Sequence, residues 1–479
     1  MDQISYYFGE ITGGISLAAR TGPVCWVPVP SKIFFGLRAT DFTKRIPPPP
    51  LFASYHSRVA VSTPVEPGEI KSAMCRSATR TGRVDANRYT LQIMQPFTLH
   101  TTPHIVFEPG GIRRLGEIAA EKLGTNVLLV TDPGIRAAGL ADAAIEALTS
   151  SGCTVEVFGD VEEDPTRATV QAATERAEAF GATGVVGFGG GSSMDVAKIA
   201  SALAGGVQPL DEMWGLEKVS RRILPLVLVP TTAGTGSEVT KSAIVTLEGD
   251  RKMGVVSSAL LPDIALLDPD LTLSLPPFGT AATGIDAMTH AIESYTVRHP
   301  NNNLISRGAA VEALKLLGRN IETAVREPDN RAARGAMLLG SMLAGTAFAN
   351  APVAAVHALA HPIGGGFHVA HGLSNALVLP HVMRFNAPVA GDRYAELAAY
   401  VFPDIDASAD AETRCATLID RIAELRSRIG LVTGLRDVGI GKADLPGMAV
   451  KATAMQNLLD NNPRDMTEAD ILGIYRAAY

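Results

Sequence analysis

Gly184-Val185-Val186-Gly187-Phe188-Gly189-Gly190-Gly191-Ser192-Ser193-Met194-Asp195-Val196-Ala197-Lys198 decides the fold. Val185 to Phe188 is a short apolar run and reads as a buried strand. Three glycines follow, then a stretch with helical character. A strand that runs straight into a glycine turn and a helix is half of a βαβ unit. Glycine lets the backbone turn sharply and approach a ligand with no Cβ in the way. The free N–H groups of the following helix suit a pyrophosphate. The loop lacks the spacing of the GxGxxG fingerprint, and a plain tight turn capped by Ser192 explains it equally well.

The same pattern recurs on either side. Asn126 to Thr131 and Thr154 to Phe158 read as strands, Thr169 to Phe180 as a helix rich in Ala and Glu, and Leu226 to Val229 as another strand. Strands spaced by helices imply a parallel sheet. The strand at Leu226 ends in Pro230-Thr231-Thr232-Ala233-Gly234-Thr235-Gly236-Ser237-Glu238, a second loop of small and hydroxyl residues. Ligands in open α/β sheets bind at the carboxyl ends of strands, so two such loops favour a dinucleotide cleft. Asp132 follows a third strand end. A carboxylate there can accept hydrogen bonds from ribose hydroxyls and repels a 2′-phosphate, which favours NAD over NADP. Asp132 also suits the turn Asp132-Pro133-Gly134 by its type alone.

After Pro276-Pro277 the strand signal stops, and Ala, Leu and Met dominate at helical spacing. The expected division is therefore an extension over 1–95, a dinucleotide-binding α/β domain over 96–276 and a helical domain over 277–479. Within the helical part, Asp286 and His290 are four residues apart and share one helix face. His357 and His361 repeat that spacing, and His371 follows after Gly364-Gly365-Gly366 and Phe367. Five of the ten histidines fall between His357 and His381. One carboxylate and three imidazoles make a site for a divalent transition metal such as iron or zinc. Taken singly, each histidine reads as a satisfied core residue. Packing alone does not explain the set.

Composition bounds the rest. A formal charge of −7 leaves no electrostatic footprint for nucleic acid. No run approaches the roughly 20 apolar residues that span a bilayer, so no membrane partner is expected. Cys25, Cys75, Cys153 and Cys415 are scattered with no CxxC pair, which points to a reducing cytoplasm. Residues 1–93 differ from the remainder: they hold 11 Lys/Arg against 6 Asp/Glu and the run Pro47-Pro48-Pro49-Pro50. Polyproline cannot continue a helix or join a central strand. The segment reads as a poorly ordered tail, as a basic targeting segment, or as sequence ahead of a true start at Met94.

With these residues in view, the chain resembles the iron-containing alcohol dehydrogenase family. The motifs that carry the resemblance are GGGSSMDVAK (189–198), PTTAGTGSEVT (230–240), GIDAMTHAIES (284–294) and VHALAHPIGGGFHVAHGLSNALVLPHVMRFN (356–386). The tail NNPRDMTEADILGIYRAAY (461–479) also looks like that family. The resemblance spans about residues 97–479. It implies a Rossmann-like α/β domain and an all-α metal-binding domain of the dehydroquinate synthase-like type, with the active site between them. It implies metal ligands at Asp286, His290, His357 and His371. It places cofactor contacts at Asp132, Gly189, Gly190, Gly191, Ser192, Asp195, Thr231, Thr232 and Thr235, and more loosely at Lys252. His361 would lie near metal and nicotinamide without being a ligand, and His368 falls at a variable position of the pocket. The resemblance also suggests a dimer or larger homo-oligomer. Maleylacetate reductases are similar but usually lack the Asp-x-x-x-His pair, which this chain keeps.

The implied activity is hydride transfer between NAD and a small alcohol or aldehyde, with Fe(II) or zinc as Lewis acid. His361 is the expected carrier of the released proton, because an imidazole titrates near neutrality. Phe367 is expected to line the substrate pocket. The competing readings are a polyol dehydrogenase with zinc, a hydroxyacid–oxoacid transhydrogenase and a dehydroquinate-synthase-like lyase. The lyase would need a basic cluster for a phosphate-bearing acid, and the sequence has none near the histidines. A non-enzymatic binding module would have no use for an open metal position.

Overall fold

The computed structural model describes residues 96–248 and 251–479; the expected extension over 1–95 lies outside the described residues. The strands are β1 His104–Phe107, β2 Asn126–Val130, β3 Thr154–Phe158, β4 Gly184–Gly189, β5 Gly215–Leu216, β6 Leu226–Pro230, β7 Ser242–Leu247, β8 Arg251–Val256 and β9 Ile264–Leu267. The helices of the first half are α1 Leu115–Leu123, α2 Pro133–Ala137, α3 Asp142–Ser150, α4 Arg167–Phe180 and α5 Gly191–Leu203. Those of the second are α6 Pro277–Thr296, α7 Leu304–Arg326, α8 Arg331–Asn350, α9 Ala355–Phe367, α10 His371–Val401, α11 Ala411–Arg428, α12 Leu445–Thr453, α13 Gln456–Leu459 and α14 Glu468–Ala477.

Six strands form one parallel sheet in the order β1-β9-β6-β4-β2-β3. Every residue of β4 and β6 is buried, which is why these strands read as continuous apolar runs rather than alternating ones. The four strands anticipated from sequence are all present. The edge strand β1 and its neighbour β9 were not anticipated, and each is only four residues long. β7 and β8 pair antiparallel and, with β5, make a second small sheet.

The order of the large sheet reverses between β2 and β4. A crevice opens at such a switch point, outside the carboxyl ends of the strands. Gly189 makes this crevice usable: its φ is +150, and a Cβ there would lie 2.7 Å from Ser193 Oγ and 3.1 Å from Asp132 Oδ2. The loop after β6 is tied down from below. Lys198 on α5 is fully buried and donates to Ser237 Oγ (2.7 Å), Thr240 Oγ1 (3.2 Å) and the Ser242 carbonyl (2.7 Å). All three of its protons are thereby used. Beside it, burial pushes the Glu238 carboxyl up to about 7.

The second half is helical from Pro277 onward, with α6 packed against α7, α8 and α10. α8 is long and apolar enough to cross a membrane by length and composition, contrary to the expectation from sequence; 67% of its apolar window is buried inside the protein, as a core helix requires. α10 contains Pro380, which has no N–H to give the Ala376 carbonyl one turn earlier. Arg426 on α11 replaces that donor: its Nη1 lies 2.8 Å from Ala376 O. Tyr475 on α14 donates to the Leu359 carbonyl, in the turn before Pro362, at 2.7 Å.

Two outcomes follow from these buried groups. Arg426→Met should lower unfolding free energy by about 2–3 kcal/mol, the scale of a lost charged hydrogen bond to a buried carbonyl. Adding Pro380→Ala, which restores a backbone N–H, should recover part of that loss in denaturant titrations. For Glu238, an unfolded glutamate ionises at its ordinary acidic value while the buried one keeps its proton to about 7. Its stabilising contribution is therefore full below the unfolded value and is lost as pH rises through the folded one. Glu238→Gln should flatten the fall in stability across that window by up to about 3 kcal/mol, read from denaturation midpoints against pH.

Candidate metal centre

Asp286 and His290 stand one turn apart on α6, in a run of small residues that lets neighbouring helices approach closely. His357 lies in the first turn of α9, and His371 is the first residue of α10. Gly372 permits that arrival, since a Cβ there would sit 2.2 Å from the Ala282 carbonyl and 3.3 Å from Asp286 Cβ. One ligand atom from each of Asp286, His290, His357 and His371 falls within 4.8 Å of all the others. Asp286 Oδ1 is central, with the Nε2 atoms of His290, His357 and His371 at 3.9, 4.0 and 3.6 Å. Three of the four side chains are buried, and the fourth, His371, is 42% exposed and leaves one side open.

Burial alone would raise the Asp286 carboxyl, but the imidazoles of His290, His371 and His357 and the Asn375 amide outweigh it and hold it below the ordinary range. Burial and the neighbouring imidazoles hold His357 well below its ordinary value, so it stays neutral. Its tautomer is set by Glu293. That carboxylate accepts from His357 Nδ1 (2.6 Å), Val356 N (2.7 Å) and Ala354 N (3.1 Å), which leaves the His357 Nε2 lone pair turned into the cluster. Burial lowers His290 too. Its Nδ1 faces the backbone carbonyl of Gly234, in the loop after β6, without reaching hydrogen-bond geometry. Phe348 of α8 stacks on its ring at 4.4 Å.

Asn375 reaches into the cluster one turn after His371. Its Nδ2 is 2.7 Å from Asp286 Oδ1 and 3.2 and 3.3 Å from the Nε2 atoms of His357 and His371, and its Oδ1 is buried without a partner. Glu293, Phe348 and Asn375 were not singled out from sequence. Glu293 and Asn375 follow His290 and His371 by three and four residues, so the helical spacing used for the ligands would have found both.

His361 lies beside the cluster, its ring 6.4 Å from that of His371. The premise that it titrates near neutrality is corrected here: burial, then His371, His357 and Lys252, push it down to about 3. It is a neutral imidazole at physiological pH. Phe367 is half-buried against the helical core, and His368 is exposed in a left-handed conformation (φ 55) at the end of α9.

The crevice of the sheet is a cavity of about 610 Å3, lined by Asp132, Gly190, Gly191, Ser192, Thr231 and Thr232 among others. Thr235 abuts Gly191, 2.9 Å from where its Cβ would be. Asp132 fills the turn role weighed for it and stands where the ribose role would need it. It caps α2 by accepting from Ile135 N at 2.9 Å, accepts from Ser193 Oγ at 3.3 Å, and still lines the cavity. Asp195 does not reach the cavity lining. Its carboxylate is taken up by Ser237 Oγ (2.7 Å) and Ile244 N (2.9 Å), so it ties α5 to the loop after β6 and to β7. Lys252 is also outside the lining, in an ion pair with Asp164.

Known proteins bear on this arrangement directly. Residues 102–269 match the model of the iron-containing alcohol dehydrogenase family, and residues 280–479 match that of its C-terminal part. Long-chain-alcohol dehydrogenase 1 of Geobacillus thermodenitrificans is 39% identical over 390 residues, covering 78% of this chain and 96% of its own. A crystal structure of 1,3-propanediol oxidoreductase superposes with a TM-score of 0.77 at 34% identity, covering 80% of this chain and all of that one. The NAD+ complex of sulfoacetaldehyde reductase from Bifidobacterium kashiwanohense does so with a TM-score of 0.72 at 29% identity, covering 80% and 98%. A parallel sheet with a crevice at its switch point, a carboxylate among three imidazoles, and likenesses that run through both halves lead to one conclusion: the chain belongs to the iron-containing alcohol dehydrogenase family and is an NAD-dependent oxidoreductase acting on CH–OH groups.

Proposed function

We propose that Asp286, His290, His357 and His371 hold one divalent metal, Fe(II) by preference and zinc as the alternative, and that the crevice over β2, β4 and β6 takes NAD. Residues 96–276 then serve the dinucleotide and residues 277–479 the metal. A small alcohol and its aldehyde interconvert where the two meet. The observation that carries this reading is the convergence of four ligand atoms within 4.8 Å in a pocket with one open side. A carboxylate with three imidazoles suits a first-row divalent ion, and an open side is what a catalytic site keeps and a structural site closes.

Bound there, such an ion would supply Lewis acidity toward a substrate oxygen and NAD would supply the hydride chemistry. The protein's own residues do the positioning. Glu293 keeps the Nε2 lone pair of His357 turned inward. Asn375 orients Asp286. The N–H groups at the start of α5 face the crevice, where they suit a pyrophosphate, and Asp132 meets ribose hydroxyls. Phe348 walls the dry side of His290. His361, held neutral, accepts a hydrogen bond from a substrate hydroxyl rather than carrying charge. The free buried thiols of Cys153 and Cys415 support a cytoplasmic setting, and the edge strand β1 with exposed Phe107 supports assembly as a homodimer or larger.

The full chain, purified anaerobically and loaded with Fe(II), should consume NADH with a panel of small aldehydes, and His290→Ala should not. Binding of metal and NAD by both proteins with no turnover of any aldehyde by the parent would refute this reading and bring forward the transhydrogenase. Glu293→Gln should weaken metal affinity by about 10–100-fold in chelator competition, the usual scale for losing a carboxylate behind a ligating histidine. An unchanged affinity would remove Glu293 from the site.

A further inference from the structure

Arg334, in the first turn of α8, is a cation only 1% exposed. Its guanidinium gathers three points of the chain. Nε donates to the Pro328 carbonyl at 2.9 Å, Nη1 to Thr280 Oγ1 at 2.6 Å and Nη2 to the Leu275 carbonyl at 3.0 Å. None of these acceptors is a carboxylate. A cation buried among neutral oxygens costs stability, and a well-packed apolar residue could close the same corner without that cost. Packing alone does not account for the charge.

Two of the three points belong to the wall of the crevice. Leu275 and Pro276 line the cavity and lead into α6, whose first turn holds Thr280. Thr280 N donates to the Pro276 carbonyl at 2.9 Å, and its Oγ1 lies 3.3 and 3.1 Å from the carbonyls of Leu275 and Pro276. Both wall carbonyls are thus engaged by Arg334 and Thr280 rather than left free to repel an anion. The charge of the lining gives this weight. Asp132, Asp160, Glu162 and Glu163 line the cavity, and no lysine or arginine does among the described residues. A pyrophosphate would meet carboxylates there and no side-chain cation. The guanidinium bonded to the Leu275 carbonyl stands behind that wall, in surroundings where a charge acts further than it does through water.

We propose that Arg334 is a positioning residue for the dinucleotide: it fixes the Leu275–Pro276 wall of the crevice and sets a positive charge behind it to offset the acidic lining. The inference rests on the reading of the crevice as the NAD site. The metal centre supplies an internal control. Phe348, which stacks on His290, lies fourteen residues further along α8, about 21 Å by helical rise. A change at Arg334 that acts through the crevice wall should spare the metal ligands, whereas a general loosening of α8 should reach both.

The test titrates NADH by fluorescence into the full-length protein loaded with Fe(II), and measures metal affinity by chelator competition on the same samples. Arg334→Met should weaken NADH binding by about tenfold and leave metal affinity within about twofold. In turnover, KM for NADH should rise while kcat changes by less than about twofold. Arg334→Lys, which keeps the charge but not the three-way fork, should recover part of the loss. Thr280→Val, which removes one acceptor, should cost about threefold. If Arg334→Met does not fold, judged by circular dichroism, Arg334→Lys and Thr280→Val decide, each expected to bind NADH more weakly than the parent by more than about twofold. NADH affinity within about twofold of the parent in the folded variants would overturn the inference and leave the NAD reading intact. So would metal affinity falling in step with NADH, or a lysine variant that recovers nothing over methionine. A parent that binds no NADH at all would defeat the NAD reading itself, and this inference with it.

Discussion

A carboxylate taken out of water must be compensated on every side, and Asp286 sets that requirement for the whole second half of the protein. Its compensation comes from three imidazoles and an amide carried on three helices: its own α6, α9 and α10. The requirement fixes which residues may stand at the contacts. Gly372 lets α10 begin against α6, and Glu293 on α6 holds the start of α9 through two backbone N–H groups and an imidazole. The site is thus a by-product of how the helices meet and also a reason for their meeting.

One loop touches both the crevice and the histidine cluster. Residues 231–240 leave the sheet at β6, offer Thr231 and Thr232 to the crevice, and turn the Gly234 carbonyl toward His290. The same loop is anchored by Lys198 and Asp195 beneath it. Residues that look like a nucleotide motif therefore divide into two kinds: those at the crevice and those that hold the crevice's wall.

That division explains what could be read from the sequence. The apolar runs at β2, β3, β4 and β6 and the spacing of Asp286, His290, His357 and His371 report local periodicity, which the chain carries openly. β1 and β9 were invisible because four residues give too little pattern, and β1 is half exposed at the sheet edge. Asp195 stands outside the cavity lining because a motif position says nothing of where a side chain ends; Ser237 and Ile244 take its carboxylate from elsewhere in the chain. The neutrality of His361 depends on burial, which no spacing encodes. Asn375 is different: it obeys the same i,i+4 rule as the ligands, so its place was legible in the sequence.

The Pro380–Arg426 arrangement carries a consequence for inheritance. The acceptor freed by the proline lies on α10 and its replacement donor on α11, about fifty residues later. A chimera between two relatives joined anywhere between these positions would receive the carbonyl from one parent and depend on the other for its donor. A crossover between Ala376 and Arg426 therefore carries the cost of an unmatched carbonyl unless the parent that supplies the proline is joined to one that supplies the arginine.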